Sequence, residues 1–211
     1  GLCGGFNNNV AKKIKAISAD SKYANAEISI LPVGKKAKDI FKYSGQIYQG
    51  ENIANNLETL WDDLSFSNVS KVAADIMAVY AEGEFDEVAI FYNKFKNAAT
   101  QEIMSEAYLP LLSSEEEKEG TTSSATDYIF EPNKEVIVED LIPKSLKVQL
   151  YKAMLDSQAS EHGARMTAMH KATDNATDLR DELKLTYNQA RQAAITNEIL
   201  EIVGGAEALN N

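Results

Sequence analysis

An α/β fold carrying one long C-terminal helix is predicted by three features of this 211-residue chain. Apolar residues switch between strand and helix spacing along the first half. Two segments rich in branched and aromatic residues, 26–33 and 88–95, are separated by helical stretches, which predicts a mainly parallel sheet flanked by helices. From Lys144 to Val203 there is no proline and one glycine, Gly163, so nothing strong breaks a helix there. At 1.5 Å per residue such a helix is roughly 90 Å long and must project from the rest of the fold.

Each element has its own signal. Gly1 to Gly5 reads as a turn, and Asn7 to Asn9 offer a helix start before the apolar stripe Val10, Ile14 and Ile17. Residues 26–33 alternate and end at Gly34, as a strand does. Lys35 to Tyr43 reads as a short helix facing inward through Ala37, Ile40 and Phe41. Asn52 to Leu64 has helical spacing in Ile53, Leu57, Leu60, Trp61 and Leu64, and Ser70 to Glu82 has it more clearly. Residues 86–95 hold a central strand, Val88 to Tyr92. Gln101 to Leu109 follows after a connection around Asn97 short enough for an antiparallel hairpin. Asp127 to Pro132 reads as a final short strand. The predicted division is a globular part, 1–140, with a solvated loop at 113–125, and a helical part, 141–211.

The composition excludes several function classes. The net charge is −11, divided as −3 over residues 1–112, −7 over 113–140 and −1 over 141–211. An acidic chain lacks the basic face that a nucleic-acid backbone requires. No apolar run is long enough to span a bilayer, and no secretion signal is visible, so an intracellular chain is expected. A lone Cys3 forms no disulfide within the chain. A phosphate loop fails twice: Gly34-Lys35 is followed by Lys36, and Ser29 stands where its first glycine belongs. Gly1 to Phe6 lacks the spacing of a dinucleotide turn. His162 and His170 share a helix face beside Glu161, but two ligands do not make a zinc site. Asn68 and Asn175 open glycosylation triplets that an intracellular chain leaves unused. No catalytic residue, metal site or cofactor is expected.

The long helix has a candidate heptad seam running through Leu155, Gln158, His162, Arg165, Met169, Ala172, Ala176, Leu179, Leu183, Thr186, Ala190 and Ala194. It is rich in Ala and polar groups. Such a seam lets another helix approach closely but buries little area, so the helix needs a partner or an enclosing cavity.

Four stretches of this helix carry a resemblance: Ser160-Glu-His-Gly-Ala-Arg-Met-Thr-Ala-Met169, Ala172-Thr-Asp-Asn-Ala176, Tyr187-Asn-Gln-Ala-Arg-Gln-Ala-Ala-Ile-Thr196 and Glu198-Ile-Leu-Glu-Ile-Val-Gly-Gly-Ala206. Together they resemble the C-terminal helix of the gamma subunit of rotary F-type ATP synthases. Gly1-Leu-Cys-Gly-Gly-Phe-Asn7 resembles the turn after the first strand of that family's Rossmann-like central domain, and Asp127 to Pro132 resembles a segment at its foot. The resemblance implies a rotor shaft without bond chemistry of its own. It implies a coiled coil inside a ring of alpha and beta subunits, and a foot touching the epsilon subunit and the c ring. It places the chain peripherally on the cytoplasmic face of the inner (plasma) membrane, if bacterial. It also implies that a long helix and most of a first strand precede Gly1, making this a fragment whose orphan helix self-associates. Two departures stand out: Gly163 where the family usually has Ala, and the acidic loop at 113–125.

Residue roles follow from the same resemblance. Arg191, Gln192 and Thr196 match upper-shaft residues that hydrogen-bond to an acidic loop of a beta subunit, for which a guanidinium fork is suited. Arg165 matches a second position linked to coupling, with Glu161 one turn before it. Tyr128 and Glu131 match foot positions near epsilon and the ring. From the residues alone, Arg165, Arg191, Gln192 and Thr196 read as exposed helix side chains, Tyr128 as a strand-end aromatic and Glu131 as a surface carboxylate. Two other functions fit the pattern. One is a small-molecule-binding α/β domain with a helical oligomerisation tail, which saturable ligand binding would reveal. The other is a plain coiled-coil adaptor, which would begin at Gly1.

Overall fold

The computed structural model describes residues 2–54, 57–111, 131 and 133–209. The elements run α1 (Phe6–Ser18), α2 (Lys35–Phe41), α3 (Phe66–Ala81), β1 (Val88–Phe95), β2 (Gln101–Leu109) and α4 (Lys134–Leu209). Short 3-10 turns occupy Ser21–Tyr23 and Thr59–Trp61. The combination of helices, a small sheet and a long C-terminal helix is the architecture expected from the sequence.

Local chemistry fixes the element ends. Asn133 caps α4, its Oδ1 accepting from the Val136 N–H at 2.9 Å, and Glu135 lies in the positive first turn. Ser65 caps α3 by accepting from the Asn68 N–H at 3.4 Å. Helix α4 starts ahead of Pro143 and carries it inside, losing one backbone hydrogen bond there. The sequence pattern places the helix after that proline; the Asn133 cap is the signal it underweights.

The sheet is more local than expected. β1 and β2 pair antiparallel, Phe95 facing Gln101 and Ala89 facing Ala107. Asn97 and Thr100 exchange both backbone hydrogen bonds at 3.2 Å, so Ala98 and Ala99 form the tip. So short a connection allows only antiparallel pairing. Parallel pairing is confined, among the described residues, to one bridge between Ile30 and Ile47. The extended segment 26–33 therefore contributes a bridge, not a strand. The helix expected over 52–64 reduces to the turn at Thr59–Trp61. Its apolar residues are nonetheless buried, Ile53 at 4% and Leu57 at 5% exposure, because they pack as a loop against the core. The strand expected at 127–132 lies almost wholly outside the described residues.

The main core joins α3 and β2 to α4. Val69, Val72 and Ala73 of α3 and Tyr108 and Leu109 of β2 meet Leu146, Leu150 and Met154 of α4. Helix spacing places these three α4 residues on one stripe. Tyr108 is 1% exposed, and its hydroxyl donates to the Leu146 carbonyl at 3.1 Å. A smaller cluster gathers Tyr48, Ile53 and Val79.

Burial pushes the Tyr108 phenol up to about 12, and burial together with the Glu106 carboxylate raises that of Tyr92 as well. An unfolded chain ionises these phenols near pH 10, before the folded chain does. The folded state then holds more protons, so stability falls as pH rises. The expected result is flat stability up to about pH 9, then a loss of up to about 1.4 kcal/mol per pH unit per phenol. Urea midpoints measured from pH 7 to 11 check this, and Tyr108→Phe should shallow the alkaline decline.

Candidate functional site on the projecting helix

Helix α4 has 76 residues, about 114 Å at the usual rise. Its first half is built into the globular part. Leu146, Leu150, Ala153, Met154 and Ser160 are buried, and Gly163 is the last buried position. From 171 to 207 every residue is exposed, a projection of about 55 Å. The fold thus divides one helix into an anchored part and a free part.

Arg165 sits where the two parts meet. It is half-buried and ion-paired with Glu161, one turn earlier on the same helix. Arg191, Gln192 and Thr196 lie on the free part and are exposed. Gln192 and Thr196 are four apart and share a face; Arg191 points about 100° around the helix from Gln192. The Thr196 hydroxyl donates to the Gln192 carbonyl at 2.9 Å. Its proton is committed, so in this arrangement Thr196 offers an incoming group its lone pairs. Arg165 lies about 39 Å along the axis from Arg191, so these residues form two separate stations. Glu131 is exposed and precedes α4, at the end opposite Arg191. Tyr128 lies outside the described residues.

The free part also exposes large apolar side chains. Leu179, Leu183, Ile195 and Ile199 are all between 44% and 59% exposed. Leu179 and Leu183 form one i, i+4 pair and Ile195 and Ile199 another, about 160° around the helix from the first. The Met169, Ala172 and Ala176 portion of the seam forms a wide, shallow groove with Arg180 at its end.

Other candidate chemistry is thin. Cys3 is buried and accepts from Asn7 Nδ2 at 3.7 Å, as a packed thiol. His162 and His170 are exposed, and no cluster of metal-ligating side chains occurs among the described residues. A cleft between the starts of α1 and α2, lined by Gly4, Asn7, Asn8, Lys36, Asp39 and Ile40, holds about 260 Å³. That lies under the roughly 300 Å³ at which small-molecule sites begin. No described helix is long and apolar enough to cross a membrane.

One feature escapes the sequence reading altogether. The hairpin rests on α4: Ser160 bonds Asn93 of β1, and Gly163 and Thr167 meet the tip at Ala98. Small residues spaced three and four apart on a long helix are the signal that could have found it.

A family model described as ATP synthase matches residues 1–209. The ATP synthase gamma chain of Flavobacterium johnsoniae is 54% identical over 210 residues, covering 100% of this chain and 70% of that one. The gamma chain of Christiangramia forsetii is 55% identical with the same coverage. The chain belongs to the ATP synthase gamma-chain family. Solved structures agree at the level of fold. A chain of the Euglena gracilis mitochondrial ATP synthase superposes with a TM-score of 0.64 at 24% identity, covering 99% of this chain and 69% of that one. A chain from the central stalk and c-ring of the Tetrahymena thermophila mitochondrial enzyme gives 0.55 at 21%, covering 82% and 71%. Membership places the chain in an ATP synthase as one subunit of that complex, and it agrees with the motif resemblance of the helix.

Proposed function

We propose that this gamma chain is the central rotor shaft of its ATP synthase. Turned by an ion-driven c ring, it couples that rotation to ATP synthesis or hydrolysis in a surrounding ring of alpha and beta subunits. The observation that carries the reading is the free half of α4: exposed on every side from 171 to 207, and rigidly continuous with a packed foot. A helix so exposed is stable only when enclosed or partnered, and a catalytic ring would enclose it. The fold shared with the chain of the Tetrahymena central stalk and c-ring supports the placement. In this reading the chain performs no bond chemistry. Its foot, including Tyr128 and Glu131, faces the epsilon subunit and the c ring. The chain sits peripherally on the cytoplasmic face of a bacterial inner membrane.

Arg191 is the strongest contact in this scheme. An exposed guanidinium can close a bidentate fork on a carboxylate of a beta subunit; Gln192 adds an amide donor, and Thr196, whose proton goes to the Gln192 carbonyl, adds lone pairs for an N–H of the same loop. The Arg165–Glu161 pair forms a second station nearer the foot. The test is purification of the native complex with Arg191→Ala, Arg191→Lys and Thr196→Ala. Co-purified alpha, beta and epsilon subunits are expected in each case. Losing a charged partner at a desolvated contact costs about 2–5 kcal/mol, so Arg191→Ala should lower ion-driven ATP synthesis tenfold or more. Arg191→Lys keeps the charge without the fork and should recover only part. Full synthesis by an assembled Arg191→Ala complex would remove Arg191 from the contact, and failure of the native chain to co-purify with the other subunits would remove the rotor reading.

A further inference from the structure

We infer that Glu161 is a positioning residue: its carboxylate holds the Arg165 guanidinium back over one turn of α4, so that Arg165 meets its contact in the rotor already ordered. This rests on the rotor reading above and deepens its second station.

The turn that carries Glu161 is itself fixed. Ser160 is fully buried, and its hydroxyl donates to the Asn93 carbonyl of β1 at 2.9 Å. The backbone next to Glu161 is therefore pinned to the sheet. At about 100° per residue, Leu150, Met154, Glu161 and Arg165 fall within about 60° of one stripe along α4. Leu150 and Met154 belong to the main core. The Glu161 and Arg165 side chains, 38% and 33% exposed, carry that stripe on past the apolar core.

Helical side chains lean toward the N-terminus of their helix, so Arg165 lies back over the turn where Glu161 stands. Its Nη2 donates to Glu161 Oε1. The order, acid four residues before base, is the favourable one. The pair forms within one helix, so it holds whatever second helix lies alongside α4.

As a contribution to stability, such a pair is small at a partly exposed site. Its consequence for binding is larger. A guanidinium carries several N–H donors in a fixed fork; Glu161 takes one at Nη2, and the others remain for a second acceptor. A long side chain ordered only on contact loses its rotamer freedom at that moment. One already ordered loses less and binds more tightly. Glu161 thus acts on the contact through Arg165, without touching the other subunit itself.

The native complex in sealed membrane vesicles provides the test, read as ions pumped per ATP hydrolysed. Arg165→Ala is the reference and should lower that ratio about threefold or more. Glu161→Ala should lower it about twofold, with Arg165 still present. The double variant should match Arg165→Ala, because Glu161 acts only through the guanidinium. Glu161→Gln keeps an oxygen acceptor of the same reach and should recover part of the loss; it carries the same comparison if the alanine variant fails to assemble. An assembled complex with an unchanged ratio in Arg165→Ala or in Glu161→Ala overturns the inference and leaves the rotor reading standing. So does an equal loss from Glu161→Ala whether or not Arg165 is present. Failure of the native chain to co-purify with catalytic subunits overturns both.

Discussion

Gly34→Ala should cost about 3–4 kcal/mol, enough to consume much of a small domain's stability. Gly34 precedes α2 with φ at +112°, a conformation that side-chain-bearing residues rarely adopt. A Cβ there would also lie 2.8 Å from Trp61 Nε1. The indole has no easy retreat, because its N–H donates to the Val33 carbonyl at 3.2 Å. Backbone strain and steric overlap therefore act at one atom. Gly45→Ala provides the control: φ is +70° there, but the site is open. It should cost only the conformational part, about 1–2 kcal/mol. Urea denaturation of the two variants separates the contributions. Equal losses at both positions would show that the Trp61 contact contributes nothing.

Tyr108→Ala should cost about 3–5 kcal/mol, as large aromatic truncations in a packed core do. Tyr108 shares one core cluster with Val69 and Ala73 of α3 and Leu146 and Leu150 of α4, so its removal opens a cavity at the root of the shaft. Tyr108→Phe keeps the ring and removes the bond to the Leu146 carbonyl, for about 1–2 kcal/mol. The two variants together divide ring packing from hydrogen bonding. Thermal and urea unfolding measure the loss. Hydrogen exchange locates it, and protection should fall first in α4 around Leu146 and Leu150. Loss of protection confined to the free part beyond residue 171 would contradict this role for Tyr108.

Much of the fold is legible in the residues because it is decided locally. The stripe Val10, Ile14 and Ile17 specifies α1, the alternating branched run Val88 to Tyr92 specifies β1, and the absence of breakers after Pro143 specifies most of α4. The segment 52–64 misleads for a definable reason. Ile53, Leu57 and Leu60 have helical spacing, but the asparagines in the sequence between them have low helix propensity, and burial of the apolar residues is satisfied by a loop. Residues 26–33 have strand chemistry, yet a strand also needs a neighbour, and among the described residues only Ile47 bridges Ile30.

The candidate site divides the same way. The helix motifs around Arg165 and Arg191 were enough to name the family, since a fixed register of side chains on one long helix is information carried by the sequence itself. By itself the sequence determined α1, α3, the β1–β2 hairpin, the long helix and the family. Tertiary structure alone decided where that helix stops being packed. It also decided that Arg165 marks the exit and that Gly163 admits the Ala98 carbonyl. The physical reason is range. Propensity, capping and periodicity act over a few neighbouring residues. The grip of the hairpin on α4 joins residues separated by more than sixty positions, and no local pattern encodes a distance.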